Sequence, residues 1–453
     1  MSNFPTPIQN TRLGFHYYPD QLHFRSKDLN NWIPELKSLG ASWLTVLAPS
    51  DRAIPEGFIK GLITAGIEPI IQFNLPLALP PKINEFSLLF ETYAKWGVHY
   101  VVIYDRPNRR ASWPASVWAQ TNLVERFLDR FLPLAESCLH CELVPVFPPL
   151  TPGGDYWDTA FLRDSLQAID RRGHYRVLEN LVLGAYAIAG DRPLTWGNGG
   201  PERWPGAKPY LSSPETEDQR GLNIHEWYAA IAQAVIGEPR PQLMFGLTSR
   251  ATHSKSGNGG LPESHQIRRT LVMAQALVSQ SSAKSVAASQ HVGPEGLAPF
   301  PQYILAGNFW LLAAAPGSSH AAHAWYRGDG AGDRRAEALR LWKVGLGLPS
   351  AEPASKILQP SHTGHPIHHY LLLPTFEWGI SDWFINAARP FIHKHQPTIG
   401  FSVEEAQLAK KVTVLGGPGQ IPDSSLDKLR AAGCLVERID GDGITIATQL
   451  VDR

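Results

Sequence analysis

The sequence predicts a (β/α)8 barrel followed by a small C-terminal α/β domain of flavodoxin-like kind. Three observations carry that expectation. Short apolar runs alternate with longer amphipathic segments from residue 13 to about residue 310, which implies parallel strands joined by helical crossovers. There are eight such runs, and eight favour closure into a barrel over an open sheet. An open doubly wound sheet usually begins with a glycine-rich phosphate loop. Here the first run leads instead into Phe15-His16-Tyr17-Tyr18-Pro19-Asp20.

The elements follow in order. Residues 13–18 read as the first strand. Residues 29–39 read as a helix, with Leu29, Trp32, Ile33 and Leu36 at helical spacing and Gly40 as its stop. Strands are expected at 42–48, 68–73 and 100–104, with helices at 58–65 and 86–96 closed by Gly66 and Gly97. A strongly helical stretch at 123–135 precedes a strand at 143–147 that runs into Pro148-Pro149. A helix at 159–169, ended by Gly173, leads to a strand at 181–186. A long loop rich in Gly, Pro and Trp fills 190–221. A helix at 224–236, a strand at 243–247, a helix at 267–278 and a strand at 304–312 complete the series. Composition then shifts towards Gly, Pro, Ser and Ala. The expected division is a barrel over 1–348, a linker over 349–368 and an α/β domain over 369–453. That domain has strands at 369–373, 412–415 and 435–439 and helices at 382–392 and 426–432.

Composition narrows the function classes. The 453 residues carry 41 basic and 41 acidic side chains, so no long-range field draws in nucleic acid or an anionic membrane. A hydrophobic share of 43% supports a sizeable core. Fourteen tryptophans suit a cleft that stacks on sugar rings, though indoles also fill cores. Three cysteines are too few for a disulfide framework. The Cys138-Leu139-His140-Cys141 motif lacks a second ligand pair for zinc and lies near a helix end rather than a helix start. The polar stretch 1–12 has no signal-peptide character, and no run approaches the roughly 18 apolar residues of a membrane span. A cytoplasmic location without a membrane partner is the expectation. Histidines cluster at His362, His365, His368 and His369 and again at His320 and His323, but without metal-ligand spacing, so no metal or other cofactor is expected.

In barrels, chemistry sits at the C-terminal ends of the strands. Those ends offer His16, Tyr18 and Asp20 on the first strand, Ser50 and Asp51 on the second, and Gln72 and Asn74 on the third. The fourth offers Asp105, Arg106 and Asn108, and the fifth leads to Asp155. The sixth offers Tyr186, then Asp191 and Trp196. The seventh offers Thr248, Ser249, Arg250 and His253, and the eighth Asn308 and Trp310. Amides and carboxylates bond hydroxyls in pairs while rings cover apolar sugar faces, so this rim suits carbohydrate. Asp51 also reads as a helix cap, and Asp155 after Gly153-Gly154 as a turn residue.

The fourth strand, Ile103-Tyr104-Asp105-Arg106-Pro107-Asn108, resembles the Asn-Glu-Pro-Asn signature of the clan of retaining glycosidases built on this barrel. The resemblance spans roughly residues 13 to 345 and implies a saccharide-binding strand-end cleft. It also shows two departures. Asp105 stands in place of the signature's Asn and Arg106 in place of its acid/base Glu, and a permanent cation cannot act as an acid. The seventh strand, Leu243 to Arg250, carries no carboxylate for the second role. Retention needs two carboxyls about 5 Å apart. Two expectations follow. The barrel binds a glycan without the usual Glu pair, or serves as a scaffold. Alternatively, Asp105 with Asp155, Asp20 or Asp191 forms a displaced, wider pair that hydrolyses. Asp105 could also pair with Arg106, Arg109 or Arg250. The candidate catalytic residues are thus Asp105 and Asp155. The candidate binding residues are His16, Tyr18, Asp20, Gln72, Asn74, Arg106, Asn108, Tyr186, Trp196, Arg250 and Trp310.

Residues 411–417 (KVTVLGG), 421–429 (IPDSSLDKL) and 436–441 (VERIDG) resemble one copy of the cell-wall-binding repeat of bacterial surface proteins. That resemblance implies a wall polymer as a possible partner of the C-terminal domain. An ordinary α/β unit fits the same residues.

Overall fold

Strands that are apolar at nearly every position must be covered on both faces, and the chain satisfies this by closing a parallel sheet inside a ring of helices. The computed structural model describes residues 4–248, 263–279, 297–315, 317–321, 323–327, 335–348, 365, 367–374, 382–441 and 443–451. The chain forms two units, Met1–Ala351 and Glu352–Arg453.

The first unit is an eight-stranded closed barrel, all of its neighbouring strands parallel. Its strands are β1 (Leu13–His16), β2 (Trp43–Leu47), β3 (Glu68–Phe73), β4 (Tyr100–Ile103), β5 (Val144–Leu150), β6 (Val182–Ile188), β7 (Gln242–Thr248) and β8 (Ile304–Phe309). The order around the barrel follows the sequence, and β1 closes on β8 with Leu13 opposite Gly307. The main helices are α1 (Ser26–Ser38), α2 (Glu56–Thr64), α3 (Ile83–Lys95), α4 (Leu123–His140), α5 (Asp158–Arg171), α6 (Ile224–Ile236), α7 (Glu263–Val278) and α8 (Ala336–Gly345).

Alternation along each strand builds two apolar layers. Leu44, Val46, Ile71, Phe73, Val101 and Ile103 join the large cluster that holds helix residues such as Trp32, Phe90 and Phe131. Their neighbours Trp43, Ile70, Tyr100, Val102, Val146, Val182 and Phe245 form a separate cluster, the inside of the barrel. Space there is tight. A Cβ on Gly14 would fall 2.4 Å from Asn308 Oδ1 and 2.9 Å from Trp43 Cβ, so only glycine admits both. The N-terminal stretch packs against this inner cluster, where Tyr100 donates to the Pro5 carbonyl at 2.6 Å and Trp43 Nε1 to Asn10 at 2.8 Å. The buried Arg12 guanidinium donates to the carbonyls of Leu277, Phe300, Pro301 and Ile304.

Several expected bounds shift. The fifth strand continues through Pro148-Pro149 to Leu150, because its register against β6 breaks between Phe147 and Leu150 and no ladder N–H is needed from the prolines there. The eighth strand ends at Phe309, and Ala313–Ala314 pairs separately with Tyr326–Arg327. The expected loop at 190–221 contains a short helix, Gly200–Arg203, and a two-residue ladder, Ala207–Lys208 with Leu211–Ser212. Cys138 is buried inside α4, where burial pushes its thiol well above the usual range, and Cys141 lies just past the helix.

The second unit holds a parallel sheet of β9 (Ile367–Leu372), β10 (Thr398–Gly400), β11 (Ala409–Leu415) and β12 (Leu435–Ile439) in the order β10-β9-β11-β12, the flavodoxin-like arrangement. Two apolar clusters form around it. Tyr370, Leu372, Val412 and Val414 pack with Leu426 and Leu429 of the helix Asp423–Ala431. Leu371, Leu373 and Leu415 pack with Phe384, Ala388 and Phe391 of Asp382–His395 and with Ile446 and Leu450 of Gly443–Val451. Among the described residues, no helix is long and apolar enough to cross a membrane.

Candidate functional site

Inward positions near the C-terminal ends of the strands turn polar: His16, Thr45, Gln72 and Asn308 are all buried. Thr45 donates to Asn308 Oδ1 at 3.1 Å, and Asn308 Nδ2 donates to the Met244 carbonyl at 3.2 Å. Above them lies a cleft of about 580 Å3. Arg106 and Arg109 line it from the β4 exit, Thr151 to Asp155 from the β5 exit, Tyr186 and Ile188 from β6, and Gly246 and Thr248 from β7. Trp310, Ser319, His320 and His323 complete the wall beyond β8.

The β4 exit supplies the central group. Tyr104 and Arg106 both adopt left-handed backbone, φ +72° and +47°, and the Arg106 N–H donates to the Pro149 carbonyl at 3.1 Å. This sharp turn presents Asp105 and Arg106 together. Tyr186 donates to Asp105 Oδ1 at 2.7 Å, Arg106 Nε lies 3.7 Å from Asp105 Oδ2, and the Arg106 guanidinium stacks over the Tyr186 ring at 4.4 Å. Burial raises the Asp105 carboxyl above its ordinary range, against the opposing pull of Arg106, the Tyr186 hydroxyl and Arg109.

His16 is buried beside Trp310, their rings 5.0 Å apart. Burial, then the charge of Arg106, pushes its imidazole down to about 3. It is therefore neutral at pH 7, and its Nε2 accepts the Gly246 N–H at 3.1 Å. That acceptance places the ring proton on Nδ1. Gly246 has φ +62°, and a Cβ there would meet the Tyr186 ring at 3.0 Å, so glycine serves both the turn and the close approach.

The expected site residues divide into groups. Arg106, Asp155, Tyr186 and Trp310 line the cleft, with His16 against Trp310. Asp105 and Asn74 face a neighbouring hollow of about 450 Å3 walled by Leu75 to Ala78 and Ala111 to Pro114. Gln72 donates to Asn74 Oδ1 at 3.1 Å beneath it. Asn108 is fully buried, its amide bound to Thr151 N–H and to the carbonyls of Thr151 and Tyr156 at 2.8–3.0 Å. It therefore ties the β4 and β5 exits together instead of facing a ligand. Tyr18 is buried and stacks on His23 at 3.7 Å. Asp20 caps the Leu22 N–H at 2.9 Å and approaches His23 at 3.5 Å. Trp196 donates to Asp218 at 3.2 Å and receives Arg192 over its ring at 5.5 Å. None of these three lines the cleft. Arg250, like Ser249 and His253, lies outside the described residues.

Sequence reasoning missed the contribution of the segment after β8, where His320 and Ser319 reach the cleft and His320 packs on Trp310 at 5.8 Å. It also missed Asp158. This buried carboxylate at the start of α5 accepts from Gly153 N–H at 2.8 Å, Gln219 at 2.7 Å and Tyr228 at 3.2 Å, and burial raises it to about 6. Its role is to fix the β5 exit. Among the described residues, no group of three or more His, Cys, Asp or Glu side chains is placed to hold a metal ion.

Chemically, the cleft offers the Trp310 ring, two guanidinium groups, imidazoles, hydroxyls and backbone. Asp155 is its one carboxylate among the described residues, and Asp155 Oδ2 takes the Arg110 N–H at 2.8 Å.

No protein-family model matches the chain, and no curated protein is detectably similar to it. Solved structures that superpose on it include a monomeric β-xylosidase from Caulobacter crescentus, 10% identical, over 74% of this chain and 69% of that one, with a TM-score of 0.43. A GH10 protein from Paenibacillus barcinonensis is 10% identical over 77% and 100% of the two chains, with a TM-score of 0.40. A fructose-bisphosphate aldolase from Plasmodium falciparum is 12% identical over 74% and 90%, with a TM-score of 0.34. None of the three reaches 0.5, and the barrel assignment rests on the chain's own strand pairing.

Proposed function

We propose that the barrel binds a saccharide in its strand-end cleft and does not cleave it with a pair of carboxylates. One observation carries this reading. The guanidinium of Arg106 lies over Tyr186 in the cleft wall, at the position where the resembling glycosidases keep their acid. A guanidinium is protonated at any working pH and cannot donate a catalytic proton. The ring of Trp310 supplies an apolar face for a pyranose, and Arg106 and Thr248 supply polar groups in the same wall. Hydrolysis by a displaced pair is the weaker reading, because Asp105 and Asp155 face different hollows and Asp105 is bound to Tyr186. For the C-terminal unit, a four-stranded parallel sheet with two apolar clusters supports an ordinary α/β unit over a wall-binding repeat.

The test is a saccharide array combined with a panel of nitrophenyl glycosides. Binding to array members that Trp310→Ala removes, with no nitrophenol release above background, is the expected result. Release that disappears in Asp105→Asn would replace this reading with displaced-site hydrolysis. Absence of binding to every saccharide would leave the scaffold reading.

A further inference from the structure

Resting on that reading of the cleft, we propose that its saccharide carries an anionic substituent, a carboxylate or a sulfate, received by Arg109 beside Arg106. The two arginines are three residues apart, and the Arg109 N–H donates to the Arg106 carbonyl at 3.1 Å, a turn that brings both side chains to the cleft. Their surroundings differ. Arg106 is already anchored, by the Tyr186 ring at 4.4 Å and Asp105 at 3.7 Å. Arg109 is only partly exposed, and its guanidinium makes no hydrogen bond or ion pair with the described residues. Asp155, the one carboxylate of the cleft among the described residues, accepts a backbone N–H from Arg110 instead.

Asp105 attracts Arg109 only through space, being itself bound to Tyr186 and Arg106, and an anionic ligand group supplies the direct partner. The planar fork of Arg109 matches a carboxylate or sulfate edge with two parallel N–H···O bonds. Meanwhile Trp310 accepts the ring of the same sugar. A neutral sugar would use Trp310 and leave Arg109 unmatched. Arg106, with Asp105 and Tyr186 holding it, positions the anion's second side.

The experiment compares ligands that differ in one kind of anionic group. Trigalacturonate is measured against its methyl ester, and a heparin-derived disaccharide against its desulfated form, alongside an array of neutral and acidic saccharides, with the intact chain and with Arg109→Gln. Acidic members are expected to bind about 10- to 100-fold more tightly than neutral ones, the loss of one charge-assisted contact. Arg109→Gln should remove that preference and flatten the salt dependence. The ester and desulfation pairs tell carboxylate from sulfate. If neutral and acidic members bind equally and Arg109→Gln changes nothing, the anion proposal is overturned while the saccharide cleft stands. If no saccharide of either kind binds, both are overturned. The ligand-side comparison needs no variant, and Arg109→Lys, which keeps charge but loses the fork, provides a second one.

Discussion

Replacing Asn108 with alanine separates a structural role from a ligand-binding one. The side chain is fully buried and serves three backbone groups: Thr151 N–H, Thr151 C=O and Tyr156 C=O. Thr151 C=O also accepts the Gly154 N–H at 3.0 Å, so it keeps a partner when the amide is removed. The Thr151 N–H and the Tyr156 C=O do not. A buried group left without a partner costs ~1–3 kcal/mol, and since Thr151 and Tyr156 are half-buried, Asn108→Ala should destabilise the barrel by ~1–3 kcal/mol in all. Asn108→Asp keeps the acceptor for Thr151 N–H but places a carboxylate against two carbonyl oxygens, and should cost at least as much at pH 7. Urea unfolding followed by tryptophan fluorescence measures both. A change below ~0.5 kcal/mol, the scale of an ordinary surface substitution, together with a loss of saccharide binding would refute the structural assignment and return Asn108 to the ligand.

Two further predictions concern stability alone. Arg12→Met leaves the carbonyls of Leu277, Phe300 and Ile304 without their charged donor and should lower barrel stability by about 3 kcal/mol in the same unfolding assay. The pH dependence involves His99, whose Nδ1 lies 3.0 Å from both Glu68 oxygens and whose imidazole is raised above its ordinary range by that hydrogen bond. Its stabilising contribution is full below about pH 6.5 and is lost as pH rises through the raised folded value. Melting temperatures across that window should therefore fall with pH in the parent and fall less in His99→Gln; equal slopes would show that the pair contributes nothing.

The barrel strands were legible because each is buried on both faces, so that residues such as Val101-Val102-Ile103 read as an unbroken apolar run. Helix α8 was not, since its ten residues follow a Gly-rich stretch where the composition changes. The strand Thr398–Gly400 is too short to show a period. At the site, the β4 exit stood out because Asp105 and Arg106 occupy a recognisable pattern. What the pattern could not reveal is which polar groups turn inward. Asn108 and Asp158 look like free loop residues in the sequence, yet both are consumed by backbone and side-chain partners from distant segments. Trp196 is likewise occupied by Asp218, brought near only by the folding of the long loop. His320 reaches the cleft through the path of the chain after β8, which no local periodicity encodes.

Closure of the barrel has a temporal side. Arg12 and the first strand meet their partners on β8 across 292 residues of chain. During synthesis, the segment that packs against the inner cluster leaves the ribosome before every barrel strand, yet its last neighbours emerge only when nearly the whole barrel has been made. Until then the edges of β1 and of the newest strand are both unpaired, and a partial barrel exposes them to other chains. Folding that waits on so distant a contact is slow, because loop-closure entropy is lost before the contact is gained. Truncation near Leu305 should therefore yield open-edged, aggregating sheets, whereas losing the second unit leaves every barrel strand pair in place.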